Sequence, residues 1–229
     1  MDPLQDGMSR IELLDHMGGD LAVVNDAKAS FDRVADELGD REIKLLRYLA
    51  EHNHTSPFRG TVFKFRVKAP LFVCRQWWKH VIASNHNDEQ LGWNETSFRY
   101  VAIDSPEYYC PESFRLQAKD NKQGSEGQLE LQDDAHCRRA YRNACNAAYD
   151  AYSQLLEMGV CREEARAVLP PSFYTTWVWT ASLQSVLHFV DMRKGYGAQS
   201  QIVKYAECVE ELILPIVPHA ISAWNDAKQ

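Results

Sequence analysis

The chain has 229 residues, enough for one domain, and its 45% hydrophobic and 11% aromatic content can build a core, which excludes a disordered or fibrous chain. Its longest apolar stretches, such as Leu71 to Cys74 and Leu212 to Val217, fall far short of the ~20 residues of a membrane-spanning helix, so no membrane partner is expected. A net charge of -7 argues against bulk attraction to nucleic acid or anionic lipid.

From the N-terminus, Met1 to Arg10 carries Asp2 and Asp6 and no apolar signal core, so a cytoplasmic location is expected. Asp40 can cap a helix running through Ile43, Leu46 and Leu49. His52-Asn53-His54 lacks the companion ligands of a zinc signature, and no metal is expected. Between Arg59 and His80 stand Arg59, Lys64, Arg66, Lys68, Arg75 and Lys79, with no Asp or Glu among them; this local reversal of charge suits a small anion. Within it, Phe63, Phe65 and Val67 alternate with Lys64, Arg66 and Lys68, the period of a half-buried strand with a solvated cationic face.

Ala69 to Ile82 reads as a helix with Pro70 at its first position. Leu71, Cys74, Trp78 and Ile82 form its expected core face, while Arg75, Gln76, Lys79 and His80 gather on another. Four polar groups on so apolar a helix either line a cavity or form ion pairs, and composition leaves both open. Asn94 to Tyr100 combines Glu95, Thr96, Ser97 and Arg99, a set suited to phosphate and ribose, or else an ordinary polar loop entering a strand. Asp104 to Asp133, with Pro106, Pro111, Gly124 and Gly127, reads as a loop-rich excursion. Beyond it, Cys137, Tyr141, Ala144, Ala148, Tyr152 and Leu155 trace the stripe of a long helix ending near Gly159.

Further helices are expected over Arg162 to Val168, about Ala181 to Met192, and Gln199 to Leu214, stopped by Pro215. Gln184, His188 and Asp191 recur at helical spacing opposite Leu183, Leu187 and Val190, with Arg193 just beyond; a histidine so placed is ordinarily a packed side chain, and Arg166 is ordinarily solvated. The six cysteines form no C-x-x-C pair and read as reduced packing thiols. The sum is an α+β fold, one domain over residues 1–229, with a modest and largely antiparallel sheet covered by several helices. Walker, G-x-G-x-x-G and G-x-S-x-G motifs are absent. A module stacking single-stranded nucleic acid on Arg75, Trp77, Trp78 and Lys79 is the alternative, weakened by the acidic balance.

Taken together, the separated segments L-L-D-H-M-G-G-D-L from Leu13, A-K-A-S-F-D from Ala27, H-x-H-T-S-P-F from His52, V-F-K-F-R-V-K-A-P-L-F-V-C-R-Q-W-W-K-H, N-E-T-S-F-R-Y, E-A-R-A-V-L-P from Glu164, H-F-V-D-M-R ending at Arg193 and A-Q from Ala198 resemble the flavin-dependent thymidylate synthases. The resemblance spans most of the chain. It implies a cytoplasmic homotetramer that binds FAD and converts dUMP to dTMP, with methylenetetrahydrofolate as carbon donor and NADPH as reductant, each active site drawing on several subunits. It matches Gln76, Lys79, Glu95, Thr96, Ser97, Arg99 and Arg166 to positions that hold dUMP. Ser97 and Arg99 would lie near its phosphate, and Arg193 would stabilise ionisation at uracil nitrogen 3. Ser30, His54, Ser56, Lys79, His80, Val81 and His188 match positions lining the FAD site. No cysteine is assigned as nucleophile. The family's Arg-His-Arg signature reads Lys79-His80-Val81 here, an insertion at about His86 to Trp93 (with Asp88 and Glu89) delays Ser97, Gln184 stands where an arginine often meets the flavin, Arg59 where an acidic residue can occur, and Gln201 where Glu commonly follows Ala-Gln.

Overall fold

The computed structural model describes residues 1–82 and 92–228, without the side chains of Val81 and Ile82. Asp88 and Glu89 of the insertion therefore lie outside the described residues, as does the side chain of Val81. In chain order the elements are β1 (Arg10–Met17), α1 (Asp20–Lys28), α2 (Asp40–Glu51), β2 (Val62–Pro70), α3 (Leu71–Ile82), β3 (Gly92–Glu95), β4 (Leu116–Gln117), β5 (Ser125–Glu126), α4 (Leu131–Glu157), α5 (Arg162–Ala165), β6 (Tyr174–Ser182), α6 (Leu183–Lys194), α7 (Ser200–Ile213) and α8 (Pro218–Asp226). The architecture is α+β, as expected.

Four strands form one antiparallel sheet in the order β1-β2-β6-β3. The alternation in β2 behaves as its sequence requires: Phe63, Phe65 and Val67 are buried and Lys64 and Arg66 exposed. Its partner β6 does the same, with Trp177, Trp179 and Ala181 inward. Strands β1 and β6 come in addition to the strand that the sequence predicts. In β6 the signal was present in T-T-W-V-W-T, an alternation of β-branched and aromatic residues. The helix expected from about Ala181 starts two residues later, at Leu183, because Ala181 and Ser182 still pair with β2. Similarly, Pro70 closes β2 instead of opening α3, its register partner being Tyr174.

Helix α3 lies on this sheet through Trp77, which is fully buried. Its indole stacks on Phe189 of α6 at 4.2 Å and meets Trp177 and Trp179 edge-on at 5.4 and 5.3 Å. Val73 and Cys74 are buried beside it, whereas Trp78 is 37% exposed and leans on Trp93 of β3 at 5.0 Å. The expected core face, centred on Cys74 and Trp78, is thus rotated by about one residue, roughly 100°. In α4 the expected stripe holds, with Tyr152 buried and Cys137, Tyr141, Ala148 and Leu155 half-buried; only Ala144 is exposed, and Cys145 is buried beside it. Gly39, not Asp40, is the N-cap of α2, and Asp40 sits in its first turn. Far along the chain, Asp20 at the start of α1 accepts the backbone N–H groups of His219 and Ala220, both at 2.9 Å, and so holds the N-terminus of α8.

The excursion carries only the short β4-β5 hairpin, and α4 begins within its expected span. Because Trp77 is the anchor, Trp77→Ala should lower unfolding free energy by about 3–5 kcal/mol. Trp78→Ala should cost only about 1 kcal/mol. Urea denaturation of the two variants checks the rotation of α3, and equal losses would contradict it.

Candidate functional site

With Trp77 pointing into the core, helical geometry places Arg75 and Lys79 on the opposite, outer side of α3, where both are exposed. Gln76 and His80 lean toward α6, and both are half-buried. There His80 meets Arg193, whose Nε donates to His80 Nε2 at 2.7 Å while its Nη2 donates to the Gln76 carbonyl at 2.9 Å. Arg193 is the next-to-last residue of α6, and its Nη1 makes no hydrogen bond among the described residues. His188, one and a half turns earlier on α6, has its ring centroid 5.8 Å from that of His80 and is itself exposed.

Accepting a bond from a guanidinium requires His80 to be neutral at Nε2, with its proton on Nδ1. Burial, then the positive charge of Arg193, then His188 push its pKa down from 6.5 to about 4. Burial also draws the Arg193 pKa down, but a guanidinium remains charged at neutral pH. The pair is therefore one fixed cation held by a neutral imidazole.

A second group forms on the other flank of α3. Glu95 ends β3, and Thr96 prolongs it by donating its N–H to Thr176 O at 2.8 Å. Ser97 then opens a turn in which its carbonyl accepts the Tyr100 N–H at 2.9 Å and its Oγ accepts the Arg99 N–H at 3.3 Å. Arg166 follows α5 directly. Glu95, Thr96, Ser97, Phe98 and Arg166 line a cavity of about 480 Å³ together with Leu71, Ala167, Leu169 and Phe173. Glu95 Oε1 accepts from Thr175 Oγ1 at 2.9 Å. Burial first, and then the neighbouring Glu95, push up the Cys74 thiol, which leaves it a poor nucleophile. Arg99 forms an exposed ion pair with Glu163 at 3.3 Å, a contact that contributes little and that a stronger anion can displace.

Three further sequence-nominated residues sit at the base of α6. His54 and Ser56 are exposed on the turn after α2, and the intervening Thr55 accepts from Gln184 Nε2 at 2.9 Å. Gln184 is buried and also accepts from Arg59 Nε at 2.9 Å, so this side chain ties the turn to α6. Gln184 and His188 are four residues apart and share a face. Ser30 is exposed just beyond α1, which packs against the same turn. The exposed Phe31 follows it, and Tyr48 stacks on His52 at 4.0 Å nearby in sequence.

The nominated residues on either side of α3 thus form two separate clusters. Cys74 and Trp78 face the Glu95 flank, Gln76 and His80 the Arg193 flank, and positions two apart on a helix are about 200° apart. Trp77 lies wholly in the core and cannot stack a base, which removes the centre of the nucleic-acid alternative. A larger cavity of about 1110 Å³, between the excursion and the α6-α7 corner, contains none of the nominated residues. Its lining includes Tyr109, Gln199 and Gln201, which join Gln76 through side-chain bonds. Sequence reasoning missed these, because uncharged residues about ninety positions apart leave no periodic or charge signal; Gln201 alone stood out, as a departure from Ala-Gln-Glu.

The family model described as thymidylate synthase complementing protein matches residues 12–219. The chain is 42% identical over 216 residues to the flavin-dependent thymidylate synthase of Thermus thermophilus, covering 94% of this chain and 75% of that one. It is 35% identical over 217 residues to the enzyme of the same name from Thermosipho africanus, covering 93% and 90%. Among solved structures, the UMP/dUMP methylase PolB from Streptomyces cacaoi bound with 5-Br UMP matches with a TM-score of 0.80 at 28% identity, over 96% of this chain and 95% of that one.

The histidine of the Arg193 pair yields a direct check. The unfolded chain would protonate His80 near pH 6.5 and the folded one only near pH 4, so between these values the unfolded state binds more protons and stability falls as pH drops. NMR titration should place the His80 ring near pH 4. In Arg193→Gln its pKa should rise, since one of the charges that depress it is gone. Titration near pH 6.5 in the unaltered protein would contradict the pairing.

Proposed function

The chain belongs to the flavin-dependent thymidylate synthases, the family of thymidylate synthase complementing proteins, and from this premise we propose that it converts dUMP to dTMP, with methylenetetrahydrofolate as carbon donor and NADPH as reductant through FAD. The observation that carries the reading is the Arg193-His80 pair. A guanidinium whose Nε and Nη2 are committed to His80 and Gln76 presents Nη1 in a fixed direction. Uracil carbon 5 becomes nucleophilic as negative charge develops on the ring, and a preorganised cation at nitrogen 3 stabilises that form without reorganising. Neutral His80 serves here as a support that leaves the positive charge undiluted.

The Glu95 flank takes the remainder of the nucleotide. Arg166, Arg99 and the Ser97 hydroxyl supply donors for the phosphate, with Arg99 exchanging Glu163 for it, while Glu95 and Thr96 offer acceptor and donor groups to the sugar or base. Gln76 and Lys79 reach the same nucleotide from α3. Since one chain keeps the two flanks apart, a second subunit completes each site, which supports a homotetramer with shared active sites.

The residues at the base of α6, with Lys79 of α3, fit a flavin dinucleotide by their donor chemistry. Ser30 and Ser56 hydroxyls, His54 and His188 imidazoles and the Lys79 ammonium are all exposed, and they match a ligand rich in hydroxyls and carrying a diphosphate. His80 would line the same site with Val81. When bound, the flavin supplies the hydride chemistry that side chains lack. The protein's share is to orient the nucleotide, exclude water and hold charge on the ring. No thiol is required, in keeping with the unreactive Cys74. The buried Gln184 is spent on Thr55 and Arg59, so it positions the turn where an arginine of relatives would meet the flavin.

Purified protein should be yellow, oxidise NADPH in response to dUMP and restore growth to a thymidine-requiring strain. Arg193→Ala should lower turnover by about 100- to 1000-fold while the flavin absorption is retained. Near-normal turnover in that variant would reject the assignment, and protein that cannot be loaded with FAD would reject the flavin site.

A further inference from the structure

Gln76 stands at one end of a run of side-chain hydrogen bonds that the proposed chemistry does not use. Its Nε2 donates to Gln199 Oε1 at 2.5 Å, Gln199 Nε2 donates to Gln201 Oε1 at 2.9 Å, and Gln201 Nε2 donates to the Tyr109 hydroxyl at 3.1 Å. The residues come from α3, from the N-cap and first turn of α7, and from the early part of the excursion. Each amide donates in the same direction, so the run has one polarity and ends on a phenol. Burial pushes the Tyr109 pKa up, which keeps that phenol protonated. Its backbone is itself fixed, since the Tyr109 N–H donates to Ser172 O at 2.9 Å.

The other side of Gln76 is held as well, because its carbonyl accepts Arg193 Nη2 at 2.9 Å. With the planar amide tied at Nε2, Oε1 is turned away from α7 and makes no hydrogen bond among the described residues. We propose that Tyr109, Gln201 and Gln199 are positioning residues that fix the side chain of Gln76, so that its Oε1 presents an acceptor to an N–H or O–H of the pyrimidine nucleotide. This rests on Gln76 being a dUMP-holding residue. The physical gain is preorganisation: a rotamer-rich glutamine aligned in advance loses less freedom when the nucleotide binds. The same run pins the α6-α7 corner, whose sharp turn uses Gly197 at φ +83°, and so steadies the end of α6 that carries Arg193.

The test is calorimetric titration of the full-length, FAD-loaded protein with dUMP, beside steady-state kinetics. Tyr109→Phe, which removes the terminal acceptor, and Gln201→Met, which breaks the run, should each raise the dUMP Kd and KM by about three- to tenfold and leave kcat nearly unchanged. Gln201→Glu, which can still accept from both Gln199 and Tyr109, should keep dUMP affinity within about twofold of the original. In a Gln76→Ala background, Tyr109→Phe should weaken dUMP no further, whereas a merely structural effect would add to the first loss. Additive losses, or Tyr109→Phe and Gln201→Met proteins with normal affinity while Gln76→Ala is weakened, would overturn the positioning role and leave the role of Gln76 standing. Normal affinity in Gln76→Ala would overturn the reading on which it rests.

Discussion

The burial of Trp77 governs the geometry of everything else. Its ring is enclosed by Trp177, Trp179, Phe189 and Tyr205, contributed by β6, α6 and α7. A fully desolvated indole contacted on so many sides allows α3 one rotation about its axis. That rotation sends Arg75 and Lys79 outward, Gln76 and His80 toward Arg193, and Cys74 and Trp78 toward β3. The chemistry of the helix is therefore set by a residue that has none of its own.

From this follows the division of the site. The cationic flank, built on Arg193, owes its strength to a neutral histidine and a backbone carbonyl, neither of which cancels the charge. The opposite flank collects Ser97, Arg99 and Arg166 with two carboxylates, Glu95 engaged by Thr175 and Glu163 paired with Arg99. The Arg193 flank concentrates positive charge on a chain whose net charge is -7, and a small anion gains from such focusing where a long polyanion would meet the acidic remainder.

Much of this was legible in the amino-acid sequence, for reasons that differ by element. The strand around Phe65 announced itself because one face is buried and the other solvated, which writes a period of two. Helices α2, α4, α5, α6 and α7 are visible from their periodicity, and α7 also from the proline that stops it. Strand β1 was hidden by its irregularity: its register with β2 shifts between Leu13 and Asp15. Strand β6 ran straight into α6 without a loop to mark the change. The rotation of α3 is hidden in the sequence because adjacent tryptophans allow two apolar stripes, and the choice depends on aromatic partners a hundred or more residues away.

The site divided along similar lines. Motif resemblance nominated Arg193 and Ser97, and the structure gives Arg193 its partners and Ser97 its cavity neighbour Arg166. Spacing alone could disclose neither the neutral state of His80, which depends on burial, nor the amide run from Gln76 to Tyr109, which depends on the α6-α7 corner.

The most direct test of a site divided by α3 and completed between subunits is complementation of two inactive variants. Arg193→Ala disables one flank and Arg166→Ala the other, so each alone should show little dUMP-dependent turnover. Co-expressed and purified as mixed oligomers, they should regain a substantial part of the activity, because some sites would pair an intact flank from each chain. A mixture as inactive as its components, with mixed oligomers shown to be present, would mean that both flanks of a site come from one chain.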